Sequence, residues 1–185
     1  WRDLLQAQYG GGGRGVMAPG RPYRGFVTYG ATTSMSPGWQ VKATFGAGSQ
    51  AIRMPVGLAS YSLTTQTEGA TFGLTADSAQ AFDRITICAL TEPGAGKLAI
   101  QAGFMTAEFD LSSFASRPGC KTIDTPEPQL SVQVTASGGP VTITSWGTFR
   151  RDKGVTISNV GVVGSQFVHF GRTDDAVVAE ELRAY

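Results

Sequence analysis

The sequence has few charged residues for its length, and the charges that it has are not clustered. Its 185 residues include 15 Lys and Arg and 14 Asp and Glu, which gives a formal net charge of +1. Apart from Arg150, Arg151 and Lys153, the basic residues are scattered singly, so they form no patch that would attract nucleic acid or an anionic membrane surface. The composition therefore argues against polyanion binding as the function.

Residues that bind metals are also scarce. Neither Cys88 nor Cys120 has a second cysteine or a histidine at the spacing of a zinc site. Calcium would require clustered carboxylates. The acidic residues in the middle of the chain are instead isolated: Asp77, Asp83, Glu92 and Asp124. We therefore predict no metal site and no other cofactor.

The two cysteines are too few to define a disulfide framework. Cys88 lies in the apolar run 85–90, where a small buried side chain is the simplest interpretation. Cys120 lies in a Pro-Gly turn. The sequence favours unpaired cysteines, and a disulfide between them remains the alternative.

Long apolar runs are absent, and none of the short ones could span a membrane. What the chain has in abundance is glycine, with 25 residues, together with Thr and Ser between short apolar runs. This composition, with turn residues at short intervals, is typical of an all-β domain.

Short segments with strand-like composition follow one another along most of the chain. They are residues 25–29, 39–45, 50–56, 59–65, 70–74, 82–90, 97–102, 107–111, 129–135 and 141–149. Apolar and polar residues alternate at period two in 130–135 and 141–144, which places one face on a core and the other in water. Turns such as 93–96 and 137–140 separate the segments. The pattern predicts a mainly β fold, a jelly-roll-like β-sandwich.

The two ends of the chain have a different sequence pattern, which is helical rather than strand-like. Residues 1–9 have helical spacing without an N-cap, and the Gly/Pro-rich connector 10–23 follows them. Because the order is helix, glycines and extended chain, the connector does not fit a phosphate-binding loop.

Near the other end, Asp174 and Asp175 mark a helix start by capping and charge. That helix is predicted to present an apolar face, formed by Val178, Leu182 and Tyr185. Helical ends of this kind suggest a segment of a longer protein.

Residues 154–166 read G-V-T-I-S-N-V-G-V-V-G-S-Q. The apolar run bounded by glycines predicts a buried strand, which ends in a turn at Gly164. A glycine at this position lets backbone N–H groups face a ligand.

Residues 158–166, with the Asp-rich helix start behind them, resemble the second conserved block of SGNH (GDSL-type) hydrolases. The glycines of residues 9–15 resemble the stretch after the nucleophile helix of that family. Residues 82–87 and 139–143 are similar to the β-sandwich inserted in its peptidoglycan O-acetylesterase branch. The resemblance implies hydrolase pieces at 1–23 and 153–185 of an α/β domain, with an inserted sandwich, like a carbohydrate-binding module, at 24–152.

In such enzymes a serine attacks an ester, a histidine–aspartate pair assists it, and an oxyanion hole stabilises the intermediate. By position, Gly164 matches the glycine whose N–H contributes to that hole. The other blocks would lie outside this segment, which alone should be inactive. The resemblance implies a parent esterase that removes O-acetyl or similar groups from a carbohydrate, with peptidoglycan as one candidate, in the periplasm or outside the cell.

Two further residues are candidates for substrate contact. His169 is the one histidine, but no carboxylate precedes it by three residues as in the family's base, so packing is the alternative. Trp39 follows Ser-Pro-Gly at a strand start, where an exposed ring could stack on a sugar, and a core position is the alternative. Tyr29, Tyr61 and Trp146 are weaker candidates of the same kind.

A second hypothesis assigns the chain no catalysis. In that case the sandwich is a carbohydrate-binding or structural module, and its terminal helices brace it.

Overall fold

The computed structural model describes residues 1–45, 53–152, 154–161 and 165–185. Within these ranges the protein is mainly β. In chain order the strands are β1 (Gly13–Met17), β2 (Ala31–Met35), β3 (Gln40–Ala43), β4 (Tyr61–Thr65), β5 (Thr71–Ala76), β6 (Phe82–Thr91), β7 (Lys97–Ala102), β8 (Met105–Asp110), β9 (Arg117–Gln129), β10 (Ser131–Ser137) and β11 (Val141–Phe149). The helices are α1 (Arg2–Tyr9), α2 (Phe167–Phe170) and α3 (Asp175–Ala184), with a 3-10 turn at Ser78–Gln80.

The strands form two antiparallel sheets. One sheet has the order β3-β4-β11-β6-β9, and β1 pairs with the second half of β11. The other sheet has the order β2-β5-β10-β7-β8. Side chains from both sheets meet in one continuous core. The predicted fold class, a mainly β sandwich, is confirmed.

The core is centred on an aromatic pair that joins the two sheets. Trp146 of β11 is fully buried, and its ring packs edge-on against Phe72 of β5 with centroids 4.9 Å apart. Its indole N–H donates to the carbonyl of Ala18 at 3.1 Å, so the buried polar atom is satisfied. Trp146 is therefore a core residue and has no ring face open to a sugar.

Most of the predicted strands are found, some with both bounds correct. Residues 97–102 and 141–149 coincide with β7 and β11. The prediction for 25–29 is wrong, because this segment is a loop with one isolated bridge at Thr28. The prediction for 50–56 falls partly outside the described residues, and its described part has one bridge, at Met54. The sequence analysis missed β1, β2 and β9.

Cys88 and Cys120 form a disulfide. They are direct register partners in the antiparallel pair of β6 and β9. The preferred interpretation of unpaired cysteines is therefore wrong, and the alternative is correct. Without β9 in the predicted strand list, nothing in the sequence brought these residues together.

The segments on either side of the sandwich lie next to each other. Gly11 and Val155 form a parallel bridge, in which Gly12 N donates to Val155 O at 3.0 Å and Val155 N donates to Gly10 O at 2.9 Å. The buried strand predicted from residue 154 onwards is not present over 154–161, whose residues are half-buried or exposed. The backbone–backbone hydrogen bonds of residues 154–161 go to Gly10 and Gly12 and to no strand of the sheets described. Residues 162–164 lie outside the described residues.

Helix α3 begins as predicted but buries a different face. The Asp174 carboxylate caps it by accepting from Ala176 N at 2.8 Å. Val177 and Glu181 are the buried residues, whereas Leu182 of the predicted apolar face is 66% exposed. The reason is that the Glu181 carboxylate has buried partners, accepting from Thr144 Oγ1 at 2.6 Å and Leu58 N at 2.7 Å.

Candidate functional site

A cleft of about 520 Å³ opens between β1, the loop that follows it and the two terminal segments. This volume lies within the usual range for small-molecule sites. Its polar and aromatic lining side chains include Arg2, Asp3, Arg14, Tyr23, Phe26, Thr28, Tyr29, Tyr61 and Asn159. The cleft is therefore assembled from segments far apart in the sequence.

One wall of the cleft is aromatic. Tyr23 packs edge-on against Phe26 with centroids 5.6 Å apart and lies 6.4 Å from the ring of Tyr61. Tyr61 is buried, and this burial raises the pKa of its hydroxyl to about 12. Tyr23 and Tyr29 are 48% and 43% exposed, so part of each ring is open to a ligand.

Another part of the lining combines charges with a further ring. The Arg2 guanidinium lies over the Tyr29 ring, 4.3 Å from its centroid, in a cation–π contact. Tyr29 Oη donates to Asp3 Oδ1 at 2.5 Å, and this hydrogen bond is the largest cause of the raised pKa of the Tyr29 hydroxyl. Arg2 Nη2 also donates to the carbonyl of Ile157. Arg2, Asp3 and Tyr29 thus form one connected group, and Arg2 joins it to the C-terminal segment through the Ile157 carbonyl.

Arg14 lies beneath this group and is 2% exposed. Its Nε donates to Tyr29 O at 3.0 Å, and Nη2 donates to Gly30 O and Gln80 O at 2.9 and 3.0 Å. Nη1 donates to Thr148 Oγ1 at 3.0 Å. Burial lowers the pKa of Arg14 to about 10, so the side chain is still charged at neutral pH. Arg14 fixes the backbone that presents Tyr29 to the cleft.

A glycine explains how the terminal segment comes this close to β1. Gly15 has φ of +83°, and an added Cβ would lie 2.6 Å from Thr156 Cγ2. The absent side chain leaves room for Ser158, whose Oγ accepts from Val16 N at 2.9 Å. The register of β1 against β11 shifts between Gly13 and Gly15, as expected for a β-bulge. The bulge therefore holds residues 156–158 against the strand that forms the cleft floor.

The lining residues can bind a polar ligand with flat apolar faces. Aromatic rings stack on apolar surfaces, while guanidinium, carboxylate and amide groups supply hydrogen bonds. Asn159 Oδ1 accepts from Gly161 N at 3.1 Å, which orients its side-chain amide at the cleft edge. The described lining contains no serine or histidine, so the nucleophile and base of a serine esterase are not found there.

Two of the three residues predicted as site residues, Trp39 and His169, do not line this cleft. Trp39 is half-buried against Phe72, 5.5 Å between centroids, and its indole N–H donates to Thr71 O at 3.0 Å. Phe72 therefore covers part of the Trp39 ring. His169 is half-buried in α2, where its Nδ1 accepts from Gln166 N at 2.9 Å. Gly164 lies outside the described residues, and Gly161, three residues earlier, lines the cleft.

Sequence reasoning named Tyr29 and Tyr61 among possible sugar-stacking aromatics but missed Arg2, Asp3, Arg14 and Asn159. These residues have no common spacing along the chain. Over the described ranges there is no group of three or more His, Cys, Asp or Glu residues placed to hold a metal ion. None of the helices described is long and apolar enough to cross a membrane.

No protein-family model matches the chain, and no curated protein matches it either. Among solved structures, the chain is similar to a peptidoglycan O-acetylesterase, with a TM-score of 0.65 and 18% identity, over 95% of this chain and 45% of that protein. It also matches the K2 adhesin domain of Lys-gingipain, with a TM-score of 0.48 and 10% identity, over 70% of this chain and 93% of that domain. A third match is CsCBM6-3 from Clostridium stercorarium in complex with cellobiose, with a TM-score of 0.43 and 14% identity, over 77% and 99%. At these identities the likeness is one of fold.

Proposed function

We propose that this chain is part of an SGNH-type serine esterase that removes O-acetyl or similar ester groups from a carbohydrate, with peptidoglycan as a candidate. In this proposal the sandwich helps to position the substrate. The observation that carries it is the extent of the match to the peptidoglycan O-acetylesterase, which covers 95% of this chain and therefore includes the terminal segments as well as the sandwich.

The arrangement of the terminal segments supports the proposal. Gln6 Nε2 donates to Val155 O at 3.0 Å, and Thr156 Oγ1 donates to Gly12 O at 3.0 Å, in addition to the parallel bridge nearby. An inserted domain leaves and rejoins its host at neighbouring points, and these paired segments provide such a point. The ester site would then lie on the host side of the pair.

Within this proposal, Gly164 donates its backbone N–H to the oxyanion, while Trp39 and His169 contact the substrate. The nucleophile and the His–Asp pair come from other parts of the full-length protein, so this chain alone is inactive. The Cys88–Cys120 disulfide supports a periplasmic or extracellular location, because disulfides persist in oxidising compartments.

The test is ester hydrolysis by the full-length protein, with p-nitrophenyl acetate as the substrate. Gly164→Pro removes the backbone N–H, and we expect kcat to fall about 100-fold or more. Gly164→Ala keeps the N–H and is the matched control, which should retain most of kcat. Thermal unfolding of both variants checks that they fold.

The two parts of the proposal fail in different ways. A well-folded wild-type protein with no hydrolysis of p-nitrophenyl acetate contradicts the esterase. Full activity in Gly164→Pro contradicts only the role of Gly164.

A non-catalytic carbohydrate-binding module is the second candidate, and the aromatic and charged lining of the cleft favours it. It predicts saccharide binding by a protein that has no esterase activity, so the hydrolysis assay separates the two functions.

A further inference from the structure

The cleft beside β1 contains more positive than negative charge. Arg2 and Arg14 line it together with one carboxylate, that of Asp3. We propose that this cleft binds a saccharide that carries a carboxylate, with the carboxylate at Arg2 and the sugar ring against the exposed tyrosines. The inference goes beyond the proposed function, because this binding requires no ester and no catalytic residue.

Arg2 is held in an orientation that suits a planar anion. Its guanidinium is fixed between the Tyr29 ring and the Ile157 carbonyl, which between them use one face and one nitrogen. A guanidinium presents parallel N–H groups that match the two oxygens of a carboxylate, so an arginine held in one orientation favours that group.

Asp3 does not neutralise this site. Its Oδ1 is engaged by the Tyr29 hydroxyl, and no ion pair between Asp3 and Arg2 occurs in the described part of the chain. Arg14 adds a second positive charge at the floor, which the nearby charge of Asp77 partly offsets, and its hydrogen bonds go to carbonyls and a hydroxyl. In a concave site, such an imbalance attracts an anionic ligand.

The neighbouring side chains indicate that the anion belongs to a sugar. Tyr23 and Tyr29 expose ring surface on which a pyranose can stack. Ring surface and an oriented guanidinium together fit an acidic saccharide better than a simple inorganic anion.

The experiment compares two oligosaccharides that differ only in charge. Isothermal titration calorimetry of the full-length protein measures Kd for β-1,4-linked tetraglucuronic acid and for cellotetraose, in which each carboxylate is replaced by a hydroxymethyl group. We expect the acidic tetrasaccharide to bind about tenfold to a hundredfold more tightly, the range for one hydrogen-bonded charged contact. Raising the salt concentration should reduce this preference.

Variants locate the binding within the cleft. Arg2→Met should remove the preference for the acidic tetrasaccharide and leave the weaker binding of cellotetraose unchanged. Arg24→Met, which removes the same charge from an exposed residue outside the cleft lining, should leave both Kd values within about twofold. Tyr29→Ala should weaken both oligosaccharides, because stacking does not depend on charge.

Three results would overturn the inference. One is equal affinity of the wild-type protein for the two oligosaccharides, and another is no binding of either. The third is an unchanged preference in a folded Arg2→Met protein. If Arg2→Met lowers Tm strongly, Arg2→Lys, which keeps the charge but loses the fork of donors, takes its place and should lose most of the preference. The p-nitrophenyl acetate assay is independent of all these measurements, so a failure here does not count against the esterase.

Discussion

The disulfide between Cys88 and Cys120 should contribute a large part of the stability of the sandwich. It joins β6 to the edge strand β9 and closes a loop with a sequence separation of 32 residues. In the chain-entropy description, closing such a loop in the unfolded state is worth about 3.7 kcal/mol at 25 °C. Total stabilities of domains are about 5–15 kcal/mol, so reduction should remove a substantial fraction.

The assay is urea unfolding, followed by tryptophan fluorescence with the buried Trp146 as a reporter. We expect dithiothreitol to lower the free energy of unfolding by about 3–4 kcal/mol, because it breaks the cross-link and leaves every other side chain in place. The double variant Cys88→Ala/Cys120→Ala is the control and should show no response to dithiothreitol. A wild-type loss below about 1 kcal/mol, with reduction verified by thiol titration, would refute the loop-closure reasoning.

The remaining predictions concern the contact of α3 with the sandwich. Burial raises the pKa of Glu181, so its stabilising contribution is complete below the ordinary glutamate pKa of about 4.3 and decreases as pH rises above it. Urea unfolding between pH 4 and 8 should therefore show stability that falls with pH more steeply in wild type than in Glu181→Gln, and parallel curves would contradict this. Gly57→Ala should cost about 1–3 kcal/mol, because the new Cβ would collide with the Thr144 carbonyl. Gly171→Ala, where the added Cβ meets nothing closer than 3.5 Å, should be nearly neutral in the same urea unfolding assay, and equal losses in the two variants would argue against the steric explanation.

The parts of the fold that could be predicted are those whose pattern is set by a single strand. In β7 and β10, alternate residues face the core, so the period of two is visible in the sequence itself. The strand β9 was missed because it contains Pro118, Pro126 and Pro128. Its position at a sheet edge explains the prolines, because an edge strand has one side that needs no N–H donors.

The cleft could not be predicted from local patterns. Arg2, Tyr29 and Asn159 belong to three separate segments, and only the paired terminal segments bring them together. The strand that forms the floor was hidden as well, because the glycines of its bulge made β1 look like part of a linker. The burial of Glu181 in α3 could not be predicted from the sequence either, because a charged residue is normally expected on the exposed side of a helix.

The parallel bridge between Gly11 and Val155 makes the sandwich a crossover connection. Parallel neighbours cannot be joined by a tight hairpin, and in α/β proteins a single helix usually makes the link. Here a complete β domain makes it, since Gln6 and Val155 bond across 149 residues of sequence. Loop-closure entropy grows only slowly with length, and a folded domain holds its own ends at a fixed separation. The two segments can therefore pair at little entropic cost once the sandwich has folded, and the sandwich serves as the template for their assembly.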